Sequence, residues 1–82
     1  MSTEKARRVV DWRFLGKMAK SHRNFLKLGV REAGAQMGLS AATVSRLEHG
    51  QHASDGDTLV RVCQWLGLSV EDVCTEGEVN NG

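Results

Sequence analysis

The sequence predicts an all-α fold, a compact five-helix domain, and three observations predict it. Apolar or small residues recur at the three- and four-residue spacing of a helix face, as at Val30, Ala33, Gly34 and Met37 and again at Val44 and Leu47. The punctuation between such stretches is that of helix ends, with glycine where a helix stops (Gly38, Gly67) and Ser or Asp where one starts (Ser40, Asp55, Ser69). No stretch shows the two-residue alternation of a strand, and 82 residues suffice for one small core and no second domain. The expected unit is residues 1–82, with 1–4 and 76–82 flexible.

The first helix is expected from about Lys5 to Arg23. Val9, Trp12, Leu15, Met18 and Ala19 form its apolar stripe, and Val10 and Phe14 an adjacent one. Trp12 and Met18 are read as core. Gly16 weakens the middle of this helix by about 1 kcal/mol relative to alanine, which a close helix crossing would justify. Residues 24–29 form a short connection, from which Phe25 or Leu26, and Leu28, are expected to plug the core.

Val30 to Gly50 is the informative stretch. Its two short helices flank Gly38-Leu39-Ser40. Gly38 stands where a helix C-cap takes the left-handed conformation that glycine adopts without steric cost. Ser40 offers its hydroxyl as N-cap to the next helix. Gly34 has no side chain to hold the second helix away, so the pair reads as a helix-turn-helix. In the second helix, about Ala41 to His49, Val44 and Leu47 point inward, leaving Ala41, Ala42, Ser45 and Arg46 outward. A slim, polar face with one long cation fits the DNA major groove, where base edges can be read.

The remainder completes the count. Asp55 is expected to cap a fourth helix, with Asp57 in its first turn and Leu59, Val62, Cys63 and Leu66 on its buried face. Gly67 ends it. Leu68 enters the core, and Ser69 caps a short fifth helix to about Cys74, with Val70 and Val73 inward.

These residues resemble the phage lambda repressor and Cro-like (Xre-like) helix-turn-helix domains. Gly34, Gly38, Val44 and Leu47 stand at that family's key positions, and SRLEHG, TLVRVCQWLG and LSVEDV are similar to its downstream helices. The resemblance runs from about Arg8 to Val73 and implies a lambda repressor-like fold that binds double-stranded DNA, as a transcriptional regulator and repressor of phage or bacterial origin. It implies base reading by Ala41, Ala42, Ser45 and Arg46. An arginine seated on a guanine edge is worth roughly 1–3 kcal/mol of discrimination. Phosphate contacts are expected from Arg23, Lys27, Arg31, Ser40, Thr43, His49, Gln51 and His52. Val30 replaces a glutamine that touches phosphate in many relatives, a role Arg31 is expected to take over. The loop after the recognition helix carries His52, Ala53 and Ser54 where relatives often have a basic residue, an asparagine and a proline. Lys5, Arg7 and Arg8 could form a basic arm or the first turn of a helix.

Charge supports a polyanionic partner. Residues 1–31 hold nine Lys or Arg against two Asp or Glu, and residues 32–82 hold two against eight, although the whole chain carries only +1. One surface is therefore expected to attract nucleic acid and another not. Trp65 lies off the buried face of the fourth helix and has two readings, a homodimer or partner contact and a lid over the last helix of its own chain. A homodimer is expected because one helix face is small for high specificity. The competing reading is a protein-interaction module on the same fold, of antitoxin or antirepressor type.

Other classes are disfavoured. Cys63 and Cys74 match no common zinc spacing and are too few for a disulfide scaffold, so Cys63 is read as a buried thiol, with no metal and no cofactor expected. His49 and His52 do not change this. No nucleophile–base or paired-carboxylate set points to an enzyme, and Glu48 is read as a structural acid. With no apolar run near the ~20 residues that span a bilayer, and no signal-peptide core, no membrane partner is expected and the protein is expected to be cytoplasmic.

Overall fold

Asp11 starts the first helix, later than the periodicity predicts. Its carboxylate Oδ1 accepts the Phe14 N–H at 3.0 Å, the bond of a side-chain N-cap. Arg8 to Val10, just before it, are extended. The structure, a computed structural model, describes residues 8–51 and 56–76. Within them β1 (Arg8–Val10) leads into α1 (Trp12–Phe25), α2 (Val30–Met37), α3 (Ala41–Glu48), α4 (Gly56–Leu66), a 3-10 turn (Val70–Val73) and β2 (Cys74–Glu76).

Four α-helices, not five, are thus present among the described residues. The expected fifth is the 3-10 turn, in which the Asp72 carboxylate accepts the Ser69 N–H at 2.9 Å. A two-stranded ribbon was also not expected. β1 pairs antiparallel with β2, Val9 opposite Thr75 and Val10 opposite Cys74, and the Asp11 N–H extends the pairing to the Val73 carbonyl at 2.8 Å. The β-branched Val9, Val10 and Thr75 suit extended backbone. Glu76, placed in the flexible tail by sequence, pairs with Arg8 in this ribbon. Residues 1–7, 52–55 and 77–82 lie outside the described residues, and with them the expected arm residues Lys5 and Arg7, the Asp55 cap and the phosphate candidate His52.

The core is Leu15 and Ala19 of α1, Ala33 and Met37 of α2, Val44 and Leu47 of α3, Val62 and Cys63 of α4, and Val73. Trp12 packs against it, and Met18 is half-buried. Val9 and Phe14 are exposed, because α1 begins after Val9 and turns Phe14 outward. Phe25 does not plug the core either. It is 78% exposed at the end of α1, Leu26 is exposed too, and Leu28 packs in instead. Lys27, with φ 60°, makes the left-handed reversal between α1 and α2. Burial raises the Cys63 thiol above its ordinary pKa, with smaller contributions from Cys74 and Asp72. Both cysteines are free.

α3 lies under α1 at Gly16. A Cβ there would collide with the Leu47 carbonyl oxygen, so the two backbones touch where a side chain would part them. On a free helix surface Gly16→Ala would stabilise by about 1 kcal/mol. Here it is expected to destabilise by about 1–3 kcal/mol, as overpacking does. Urea unfolding gives the sign directly, and a higher midpoint for the variant would contradict the α1–α3 crossing.

Candidate nucleic-acid interface

The helix-turn-helix forms by local chemistry. Gly29 begins α2 in extended conformation, and its N–H donates to the Glu32 carboxylate three residues on at 2.6 Å. Gly38 ends α2 at φ 78°, as expected for its C-cap, and the Leu39 N–H closes onto the Gly34 carbonyl at 2.8 Å. Ser40 is the N-cap of α3, its Oγ accepting the Thr43 N–H at 3.1 Å. The corner is tight at Gly34, where a Cβ would stand 2.5 Å from the Leu39 carbonyl oxygen and 3.3 Å from Val44 Cγ2. Val44 and Leu47 are buried and pin α3 down.

The opposite face of α3 is open. Ala42, Arg46 and His49 are exposed, and Ala41, Thr43 and Ser45 half-buried. The Arg46 guanidinium makes one long bond, Nη2 to Thr43 Oγ1 at 3.4 Å, and has no carboxylate partner among the described residues. Thr43 Oγ1 also lies 2.9 Å from Ser40 Oγ. Cap, threonine and arginine therefore stand one turn apart along a single line of polar atoms. The His49 Nδ1 lies 2.7 Å from the Ser45 carbonyl oxygen. A carbonyl only accepts, so Nδ1 carries the proton and Nε2 is the remaining ring nitrogen. Lys27, Arg31 and Gln51 are exposed around this helix, at the α1–α2 reversal, in the first turn of α2 and just past α3.

Arg23, a phosphate candidate by sequence, is bound within the chain. Its Nε and Nη2 donate to the two oxygens of Glu48 at 2.6 and 2.9 Å, and its Nη1 to the Leu28 carbonyl at 2.9 Å. The side chains are only 15% and 7% exposed. Glu48 raises the arginine pKa, chiefly through the hydrogen bond, against the opposing effect of burial. The bidentate pair ties α1, the α1–α2 connection and the last turn of α3 together, and Glu48 is the structural acid the sequence indicated.

Sequence reasoning passed over two cations, Arg13 and Lys17. One turn apart on α1, they line a notch of about 250 Å³ together with Glu48, His49 and Gly50. Their four-residue spacing was visible, but their place beside the end of α3 depends on the helix crossing. Trp65 closes over its own chain, against α1 and α2. Its Nε1 donates to Gln36 Oε1 at 2.8 Å, and its ring meets His22 edge-on at 4.7 Å. With Val60, Arg61 and Gln36 it lines an open groove of about 690 Å³ between α2 and α4. Among the described residues no three His, Cys, Asp or Glu side chains are grouped as a metal would need, and no helix is long and apolar enough to cross a membrane.

Residues 23–75 match a family model described as the Cro/C1-type HTH DNA-binding domain. Two crystal structures of the clp gene regulator ClgR from Corynebacterium glutamicum are similar. One is 31% identical with a TM-score of 0.60, covering 79% of this chain and 69% of that one. The other is 32% identical with the same TM-score, covering 84% of this chain and 88% of that one. No curated protein matches.

Removing one partner from a buried ion pair strands the other charge, at a cost of about 3–5 kcal/mol when burial is complete. The Arg23–Glu48 pair is slightly exposed, so Glu48→Gln is expected to lose about 2–3 kcal/mol. Arg61→Gln, which breaks an exposed pair with Asp57 (44% and 70% exposed), is expected to lose less than about 1 kcal/mol. Denaturant midpoints of the two variants test the ranking, and equal losses would contradict it.

Proposed function

The chain belongs to the Cro/C1-type helix-turn-helix DNA-binding family, and on that premise we propose that it is a transcriptional regulator that lays α3 in the major groove of double-stranded DNA. The observation that carries this reading is the exposed face of α3. It is narrow, and Arg46 stands on it without a carboxylate among the described residues. Arg46 takes a guanine edge. Ala42 and Ala41 allow close approach and contact a thymine methyl, and Ser45 adds a short hydrogen bond. Ser40, Thr43, Lys27, Arg31, His49, Gln51 and His52 serve phosphates. Arg23 ranks below them, because three of its five guanidinium N–H groups already donate within the chain and its side chain is only 15% exposed. The description of ClgR as a clp gene regulator supports a regulatory role.

Repression is the simplest form of that role, since occupying a promoter suffices. With so few base-reading groups on α3, specificity is shared between two copies. A homodimer would read half-sites about 34 Å apart, one helical turn. Trp65 and the exposed Val60, on the same groove, are the apolar groups assigned to the contact. That groove also favours a second reading, a protein partner seated between α2 and α4, as an antitoxin or antirepressor would have. A chain that captures a protein but retards no duplex at low salt would establish the second reading over the first.

Arg46→Ala is expected to lower the preference for a duplex selected from a random pool over random duplex by roughly 5- to 150-fold. Binding to random duplex should remain. An equal loss on both would assign Arg46 to phosphate. In sedimentation the free chain at tens of micromolar, or its complex with the selected duplex, should contain two copies, and monomers in both would overturn the dimer.

A further inference from the structure

We propose that Arg13, Lys17 and His49 form a clamp for a phosphodiester group of the DNA backbone, at the C-terminal end of α3. The clamp rests on the reading of α3 as the helix that enters the major groove. A helix lodged there has a sugar–phosphate strand alongside each of its ends. Beyond the C-terminal end of α3 the chain continues as Gln51-His52-Ala53-Ser54, with no lysine or arginine. The cations next to that end come from α1.

The notch has the composition of an anion site. Arg13 and Lys17 are both exposed, and neither has an ion-pair partner among the described residues. The one acid that lines it, Glu48, is almost fully buried, and both its oxygens accept from Arg23, so its charge is already met. His49 is oriented by its bond to the Ser45 carbonyl, and a phosphate oxygen only accepts, so Nε2 meets it as an N–H donor when the ring is an imidazolium. Gly50, at φ 76°, turns the chain beneath Arg13, and a Cβ there would come within 3.1 Å of Arg13 Cγ. The arginine stem therefore rests on the glycine. The C-terminus of α3 opposes an anion with roughly half a negative charge, which two full positive charges outweigh.

A phosphate contact strengthens binding without reading sequence, and each one adds about 0.9 to the slope of log affinity against log salt. The test is that slope, measured on a random-sequence duplex and on a duplex selected from a pool. Arg13→Gln/Lys17→Gln, which strips the clamp from its one phosphate, should reduce its magnitude by about 0.9, and Lys17→Gln by a measurable part of that. The preference for the selected duplex should stay unchanged. Lys17→Gln alters an exposed side chain and is expected to fold normally, so it remains informative if the double variant unfolds. A wild-type slope in Lys17→Gln and in the double variant overturns the clamp. If the unaltered chain binds no duplex at low salt, the reading of α3 fails, and the clamp with it. Inorganic phosphate at constant ionic strength should compete no better than chloride. Strong competition, abolished in Lys17→Gln, would assign the notch to free phosphate and overturn the DNA commitment.

Discussion

The helix α3 is gripped from two sides at places where only a hydrogen stands on the facing helix. On one side α1 meets the Leu47 carbonyl at Gly16, and on the other α2 meets Leu39 and Val44 at Gly34. Protein interiors are packed closely enough that one extra carbon at either place is felt. The two contacts fix the height and tilt of α3, and Val44 and Leu47 fix its rotation by burying its inner face. What remains outward follows from that rotation. The outward face of α3 is thus what remains of a packing problem solved underneath it.

The same crossing decides what each cation near α3 can do. Arg23 reaches Glu48 and becomes part of the scaffold, with three of its five N–H groups donated within the chain and its charge paired. Arg46 has no ion-pair partner among the described residues. Arg13 and Lys17 lie against the end of α3, beside an acid that Arg23 has already neutralised. Glu48 thereby holds α3 in place without repelling an anion from the notch next to it. The near-neutral total charge gives no hint of this arrangement, because the acids that balance the count lie mostly in the C-terminal half of the sequence.

The parts of the fold that were legible in the sequence are those settled by local chemistry. Gly38 in the left-handed region, Ser40 as a side-chain cap, Gly67 at the end of α4 and the buried pair Val44 and Leu47 each follow from residues within a turn or two. The β1–β2 ribbon was not legible. Its three-residue strands are too short for alternation to show, and its partner lies at the far end of the described chain. Val9 also continued the spacing of Trp12 and Leu15, which lengthened the expected helix, although Asp11 is among the best N-cap residues and marked the true start. For the candidate site, Glu48 could be read as structural, but nothing local told which arginine it would take. Arg13 and Lys17 were visible as charges and not as neighbours of Gly50, since that adjacency is tertiary.

Chemical protection of guanine N7 tests the central claim most directly, because that atom opens only onto the major groove. On a duplex selected by the chain, dimethyl sulfate footprinting should show N7 protection at each half-site, lost at a guanine when Arg46 is replaced by alanine. Full occupancy of the duplex with every N7 still reactive would contradict the account, since the exposed face of α3 would then be lying somewhere other than in the groove.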